Sequence, residues 1–83
     1  MIRAELEGKV LSLISQLSTL KAHELRREQR LREDLGMDSV SSMELLSMVA
    51  EELDLDISVE DAAGITTVGG TLELVAQHYE RSA

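Results

Sequence analysis

The chain has 83 residues, 43% of them hydrophobic, and a formal net charge of −8 from 16 acidic and 8 basic residues. A chain of this length forms one domain, residues 1–83, with a modest core and no room for a deep active-site cleft. Its negative charge disfavours nucleic acid and anionic membranes as partners and favours basic protein surfaces, and the lack of Cys excludes disulfides, zinc–thiolate sites and a thiol nucleophile.

Apolar residues at helical spacing open the chain and predict an amphipathic helix over about residues 2–18. They are Ile2, Leu6, Val10, Leu13, Ile14 and Leu17. Charged residues such as Arg3 and Glu5 interrupt this segment, where a signal peptide would need an apolar run. No stretch is long and apolar enough to span a bilayer, so we expect a soluble cytoplasmic protein without membrane insertion.

Residues 19–37 connect this helix to the next and carry five of the eight basic residues. The five are Lys21, Arg26, Arg27, Arg30 and Arg32. We expect Leu25 and Leu31 to attach the segment to the core, and part of it to be helical. A connection of about twenty residues is longer than an ordinary loop, which indicates a functional role.

A second helix is predicted from Asp38–Ser39 to about Leu53. Asp38 suits the N-cap position, where its carboxylate accepts hydrogen bonds from backbone amides that have no partner within the helix. A later start is an alternative, because Ser41 and Glu44 fit a capping box that would leave Ser39 in the loop.

The last third of the chain predicts a short helix and a long one. Val59–Ala63 forms a short helical segment interrupted by Gly64, after which apolar residues return at helical spacing. Those of the final helix are Val68, Leu72, Val75, Ala76 and Tyr79. We therefore predict an all-α fold, a small four-helix bundle with three main helices, one short helix and a long first connection.

The second helix has two different faces when its residues are placed at about 100° each. One face is apolar and is predicted to contact the core through Leu45, Leu46, Val49 and Leu53. The opposite face mixes apolar and acidic residues, namely Val40, Met43, Glu44, Ser47, Met48 and Glu51. Such a mixture suits a reversible protein contact, although a solvated face with a few apolar residues would show the same pattern.

Acidic residues dominate the region around this helix. From Glu33 to Asp61 there are ten of them and no Lys or Arg, which favours steering toward basic partners. Asp54-Leu55-Asp56 resembles the opening of a calcium loop, but Val59 and Ile65 stand where such a loop needs Gly and Glu. We therefore predict no metal site.

Ser39 stands at the predicted start of the second helix, a position where a serine is most often a cap. A helix start also favours a bound or attached phosphate, through free amides and the helix dipole. His23 and His78 lie in the connection and the last helix, and we expect both on the surface, so no catalytic triad is predicted. The sequence therefore indicates a serine that is well placed to be modified and poorly equipped to carry out catalysis alone.

The segment Leu35-Gly36-Met37-Asp38-Ser39-Val40, with Glu44-Leu45 downstream, resembles the phosphopantetheine attachment motif of acyl carrier proteins. The resemblance implies a four-helix bundle in which Ser39 receives 4′-phosphopantetheine from coenzyme A through a metal-dependent phosphopantetheinyl transferase. The arm's thiol would hold acyl intermediates as thioesters for fatty-acid or polyketide biosynthesis, and the chain itself would be a carrier and no enzyme. Val40 in place of the usual Leu, and Ser41 where many fatty-acid carriers have an acid, leave the pathway open.

The resemblance also assigns partner-binding roles around the second helix. Asp38 would help to position the transferase, and Val40 and Met43 would supply apolar contact. Glu44, Glu51 and Glu52 would meet Arg and Lys on basic docking surfaces of acyl-chain synthases and transferases. We expect a monomer, and the alternative function is an unmodified acidic helical adaptor that binds a basic protein.

Overall fold

The computed structural model describes residues 2–82, and at Val59 and Ser82 it describes the backbone alone. The helices are α1 (Arg3–Leu17), α2 (Ser39–Leu53), α3 (Val59–Ala63) and α4 (Val68–Ser82), with a 3-10 turn at Ala22–Glu24. Over these residues no strand forms, apart from an isolated bridge between Arg30 and Thr67. The predicted all-α bundle of three long helices and one short helix is confirmed.

Apolar stripes from the three long helices meet in one core. α1 packs against both α2 and α4. The buried apolar residues of these helices are Leu6, Val10 and Ile14 from α1, Leu45, Leu46 and Val49 from α2, and Val68, Leu72, Val75 and Ala76 from α4. The predicted core face of α2 is therefore confirmed, with Leu53 partly buried. Ile2, placed on the apolar stripe of the first helix, lies outside α1 and is 65% exposed.

The connection between α1 and α2, residues 18–38, is attached to the core by more residues than the sequence suggested. Leu31 is buried and Leu25 packs partly buried against the core, as predicted. Leu35 and Met37 are buried as well, so the second half of the connection belongs to the core, while the 3-10 turn confirms that part of it is helical.

Backbone hydrogen bonds join this connection to the beginning of α4. The Leu31 amide donates to the Thr66 carbonyl at 2.9 Å, and the Gly69 amide donates to the Arg27 carbonyl at 2.8 Å. A Cβ atom at Gly69 would lie 3.0 Å from that carbonyl oxygen. The close approach of the two backbones therefore favours glycine at this position.

Three arginines strengthen the same side of the molecule. Glu73 accepts hydrogen bonds from Arg3 at 2.7 Å and from Arg27 at 2.8 Å, and these bonds, Arg3's foremost, hold the pKa of the Glu73 carboxyl below its ordinary value. Arg30 pairs with Glu33 and Asp34 within the connection. Arg27 and Arg30, two of the five basic residues of the connection, thus form ion pairs within the fold.

The short helix α3 is joined to α4 through His78. Its Nε2 atom lies 3.1 Å from an Asp61 carboxylate oxygen, and its Nδ1 atom lies 3.0 Å from the Leu74 carbonyl oxygen. The His78 side chain is only 13% exposed, so the expectation of a surface residue is wrong for His78, although His23 is exposed. The error arises because the partner Asp61 lies on a different helix.

Candidate functional site

A tight turn delivers the chain to the start of α2. Gly36 has a φ of +69°, in the left-handed region that glycine adopts at little cost. The next residue, Met37, is fully buried and its amide donates to the Leu31 carbonyl at 2.8 Å. Asp38 and Ser39, the two residues that follow the buried Met37, are exposed at the N-terminal end of α2.

Asp38 caps α2 as the sequence predicts. Its carboxylate accepts a hydrogen bond from the Ser41 amide at 2.8 Å, and its carbonyl accepts one from the Ser42 amide at 3.0 Å. The alternative start, with Ser41 as the cap and Ser39 in the loop, is wrong. The bond from the Ser41 amide, foremost, and the nearby charge of Arg32 hold the pKa of the Asp38 carboxyl below its ordinary value.

Ser39 is the first residue of α2 and is exposed. Within residues 2–82 its hydroxyl has no hydrogen-bond partner, and no histidine lines the groove beside it. His78 is held by Asp61 and Leu74. The surroundings supply no base for a nucleophilic serine, but they leave its oxygen accessible to another enzyme.

A groove of about 350 Å³ opens beside Ser39. Its lining comes from the end of the connection, the first turn of α2 and the region around the end of α3. The residues are Leu31, Arg32, Glu33, Met37, Asp38, Ser39, Ser42, Met43, Ala62, Ala63, Ile65 and Thr66. A smaller cavity of about 130 Å³ shares Met43 and Ala62 with it and continues toward Leu46 and Ile57, so largely apolar surface leads away from Ser39.

Several of these lining residues were not identified from the sequence. Arg32, Ser42, Ala62, Ala63, Ile65 and Thr66 lie in three separate segments, and no spacing pattern links them. The turn signal at Gly64 and the bulky Ile65 after it were visible, but neither indicates a groove. Only the packing of α3 beside α2 brings Ala62, Ala63, Ile65 and Thr66 to the groove beside Ser39.

The outward face of α2, formed by Val40, Met43, Glu44, Ser47, Glu51 and Glu52, is open to solvent. Met48, which the sequence also placed on this face, is partly buried. Val40 is 71% exposed and Met43 is 49% exposed, which is high for large apolar side chains. Within the described part of the chain, Glu44, Glu51 and Glu52 form no ion pair. The predicted partner-binding residues thus lie together around one helix, with Asp38 at its start.

The described residues show neither a metal-binding cluster nor a membrane-spanning helix. Among the residues that the structure describes, no group of three or more His, Asp or Glu side chains could hold a metal ion. No described helix has the length and hydropathy needed to cross a membrane.

Comparison with known proteins decides the family. A family model described as a phosphopantetheine attachment site matches residues 8–75. The chain belongs to the acyl carrier protein family. It is 34% identical over 73 residues to the acyl carrier protein of Clostridium perfringens, covering 88% of this chain and 96% of the relative. It is 32% identical over 75 residues to that of Prochlorococcus marinus, covering 90% and 94%.

The fold agrees with the same family. The solved structure of the acyl carrier protein from Enterococcus faecalis superposes with a TM-score of 0.79 at 32% identity, covering 94% of this chain and 99% of that chain. The match covers nearly the whole of both chains, so the bundle described above is the acyl carrier fold.

Because the chain belongs to this family, it is a carrier of acyl groups on 4′-phosphopantetheine and not an enzyme. It interacts with synthase and transferase enzymes. The arm supplies a terminal thiol, which holds acyl groups as thioesters. The residues present fit such an arm, since an accessible serine hydroxyl stands at a helix start beside a groove. The carrier role predicted from the sequence is confirmed, and it is favoured over the unmodified adaptor.

Proposed function

We propose that Ser39 is the residue that carries the arm. The observation that carries this proposal is the position of its hydroxyl, exposed at the first residue of α2, directly after the Asp38 cap and without a hydrogen-bond partner among the described residues. The α2 dipole and the amides of the first helical turn favour a phosphate at this end. Other hydroxyls nearby are less available, and Ser42, for example, is partly buried.

Intact mass after incubation with coenzyme A, magnesium and a broad-specificity phosphopantetheinyl transferase tests the assignment. The wild-type protein is expected to gain one phosphopantetheine, and Ser39→Ala none. Ser42→Ala is the matched control, because Ser42 lines the same groove, and it should load fully. Loading of Ser39→Ala would assign the arm to another residue.

We propose further that the outward face of α2, with Asp38 at its start, is the surface that basic enzymes recognise. Its support is the combination of exposed Val40 and Met43 with carboxylates that the fold leaves unpaired. Electrostatic attraction would speed the encounter, and the apolar side chains would supply buried contact area.

Charge reversal tests the surface separately from the arm. Glu44→Lys combined with Glu51→Lys is expected to raise the KM of the transferase for the carrier about tenfold or more, with a smaller difference at high salt. Glu5→Lys combined with Glu28→Lys is the control with an equal change in charge, since both residues are exposed and neither lies on α2. An equal rise in KM for the control would show a general charge effect in place of a docking surface.

The whole chain is proposed to act as one monomeric carrier domain in the cytoplasm, serving fatty-acid or polyketide synthesis. A single domain is supported by the alignment with the Clostridium relative, in which 96% of that protein matches 88% of this chain. Sedimentation at several concentrations tests the monomer. The mass of the acyl group on protein isolated from its native cell would distinguish a fatty-acid from a polyketide intermediate.

A further inference from the structure

Arg32 is the one cation among the described residues that line the groove beside Ser39. The other charged residues of that lining are Glu33 and Asp38. Arg32 is exposed, and its charge is close enough to the N-cap to contribute to the lowered pKa of Asp38. A guanidinium group therefore lines the same groove as Asp38, the residue that directly precedes Ser39.

Arg30, two residues earlier in the connection, is already engaged. Arg30 lies 3.2 Å from a Glu33 oxygen and 3.5 Å from an Asp34 oxygen. Arg32 has no carboxylate within 4 Å in the part of the chain that the structure describes. The fold thus leaves its five N–H donors available at the mouth of the groove.

A phosphodiester on Ser39 would bring a negative charge next to Asp38, whose carboxylate is fixed as the helix cap. The α2 dipole offsets part of the repulsion. A guanidinium offsets more, because its planar fork can donate two parallel hydrogen bonds to phosphate oxygens and it keeps its charge at every physiological pH. The lining offers no other residue that could do this.

We propose that Arg32 binds the phosphodiester of the arm and holds the root of the arm at the mouth of the groove. The proposal rests on attachment of the arm at Ser39. Its ligand is a monoanionic phosphodiester, and its effect is to direct the first part of the arm toward the apolar lining formed by Met37, Met43 and Ile65.

The change in melting temperature on loading measures this contact without any enzyme activity. Apo and loaded forms of the wild-type, Arg32→Gln and Arg26→Gln proteins are compared, with loading verified by intact mass. Arg26 is the matched control, because it is an exposed arginine of the same connection that does not line the groove. Loading is expected to lower the melting temperature of Arg32→Gln by about 3 °C more than that of the wild type, with Arg26→Gln like the wild type.

The ³¹P resonance of the loaded proteins and the Nε–H resonance of Arg32 provide a direct second readout. The ³¹P shift should change in Arg32→Gln and stay constant in Arg26→Gln, and the Arg32 Nε–H signal should move when the wild type is loaded. Equal loading effects on melting temperature in all three proteins, with unchanged ³¹P and Nε–H signals, would overturn the role of Arg32. Failure of the wild type to load, or loading of Ser39→Ala, would overturn the Ser39 assignment itself, and intact mass distinguishes the two failures.

Discussion

Two sides of this carrier use their charged residues in different ways. On the docked side, formed by α1, the connection of residues 18–38 and α4, Glu73 is shared by Arg3 and Arg27. On the outward face of α2, Glu44 and Glu51 have no partner among the described residues. Glutamate thus forms ion pairs within the fold on the docked side, whereas on the outward face of α2 it is left available to other proteins. The following substitutions test whether the residues that stabilise the fold lie on the docked side and not on the outward face of α2.

Truncation of a buried apolar residue of the docked side is expected to have the largest effect. Leu31 is 2% exposed in the connection, and Leu31→Ala should lower the free energy of unfolding by about 3 kcal/mol, because it leaves a cavity in the core. Urea denaturation measures the change. Met43→Ala on the outward face should cost less than about 0.5 kcal/mol, and a comparable loss there would mean that this face also supports the fold.

Two glycine substitutions test whether the docked side depends on backbone contact. The added Cβ of Gly69→Ala would lie 3.0 Å from the Arg27 carbonyl oxygen, so the change should destabilise by about 1–3 kcal/mol. Gly8→Ala meets nothing within 4 Å on the exposed surface of α1 and should stabilise by about 0.5–1 kcal/mol through its higher helix propensity. Thermal unfolding of both variants checks the opposite signs, and a stabilising Gly69→Ala would show that the connection can move away at little cost.

The contrast between local and long-range contacts also explains what could be predicted from the sequence. The start of α2, its Asp38 cap and its core face follow from residues within a few positions of one another, and all three were predicted. The helix bounds could be read from the same periodicity. Ser39 could be singled out because its motif is contiguous.

Contacts between distant segments could not be predicted in the same way. The hydrogen bond from Leu31 to Thr66 and the pairing of His78 with Asp61 join residues that no single periodic pattern includes. The groove beside Ser39 has the same origin, since α3 supplies part of it. Arg32 was noticed as one of five basic residues, but only the fold separates it from Arg30, which pairs with its own neighbours.

Acid titration tests how much the charge of Asp38, the N-cap of α2, contributes to stability. The pKa of Asp38 is lowered in the folded protein, first by the Ser41 amide. Its charge therefore adds stability above the ordinary carboxyl pKa, and this stability is lost as the pH falls through the folded value. Asp38→Ala should lower the melting temperature at pH 7 by about 5 °C.

Asp38→Asn separates the cap from its charge. Asn caps a helix about as well as Asp, so at pH 7 the variant should melt within about 2 °C of the wild type. Below pH 4 the difference should shrink further, because the wild-type carboxylate is then becoming protonated. Scans between pH 7 and pH 2.5 check this, and an Asp38→Asn profile that falls as steeply as the wild type would assign the acid response to other carboxyls.

The smallest expected effects have opposite signs on the two sides. Glu73→Gln removes the acceptor that Arg3 and Arg27 share and should lower the melting temperature by less than about 3 °C, because exposed ion pairs stabilise weakly. Glu51→Gln should raise it by a similar or smaller amount, since it relieves repulsion in a chain of net charge −8. Salt should raise the melting temperature of the wild type by screening that repulsion. The same salt should raise the melting temperature of Glu51→Gln by a smaller amount. If both substitutions lowered the melting temperature, the carboxylates of the outward face would also stabilise the fold, and the two sides would not differ in this respect.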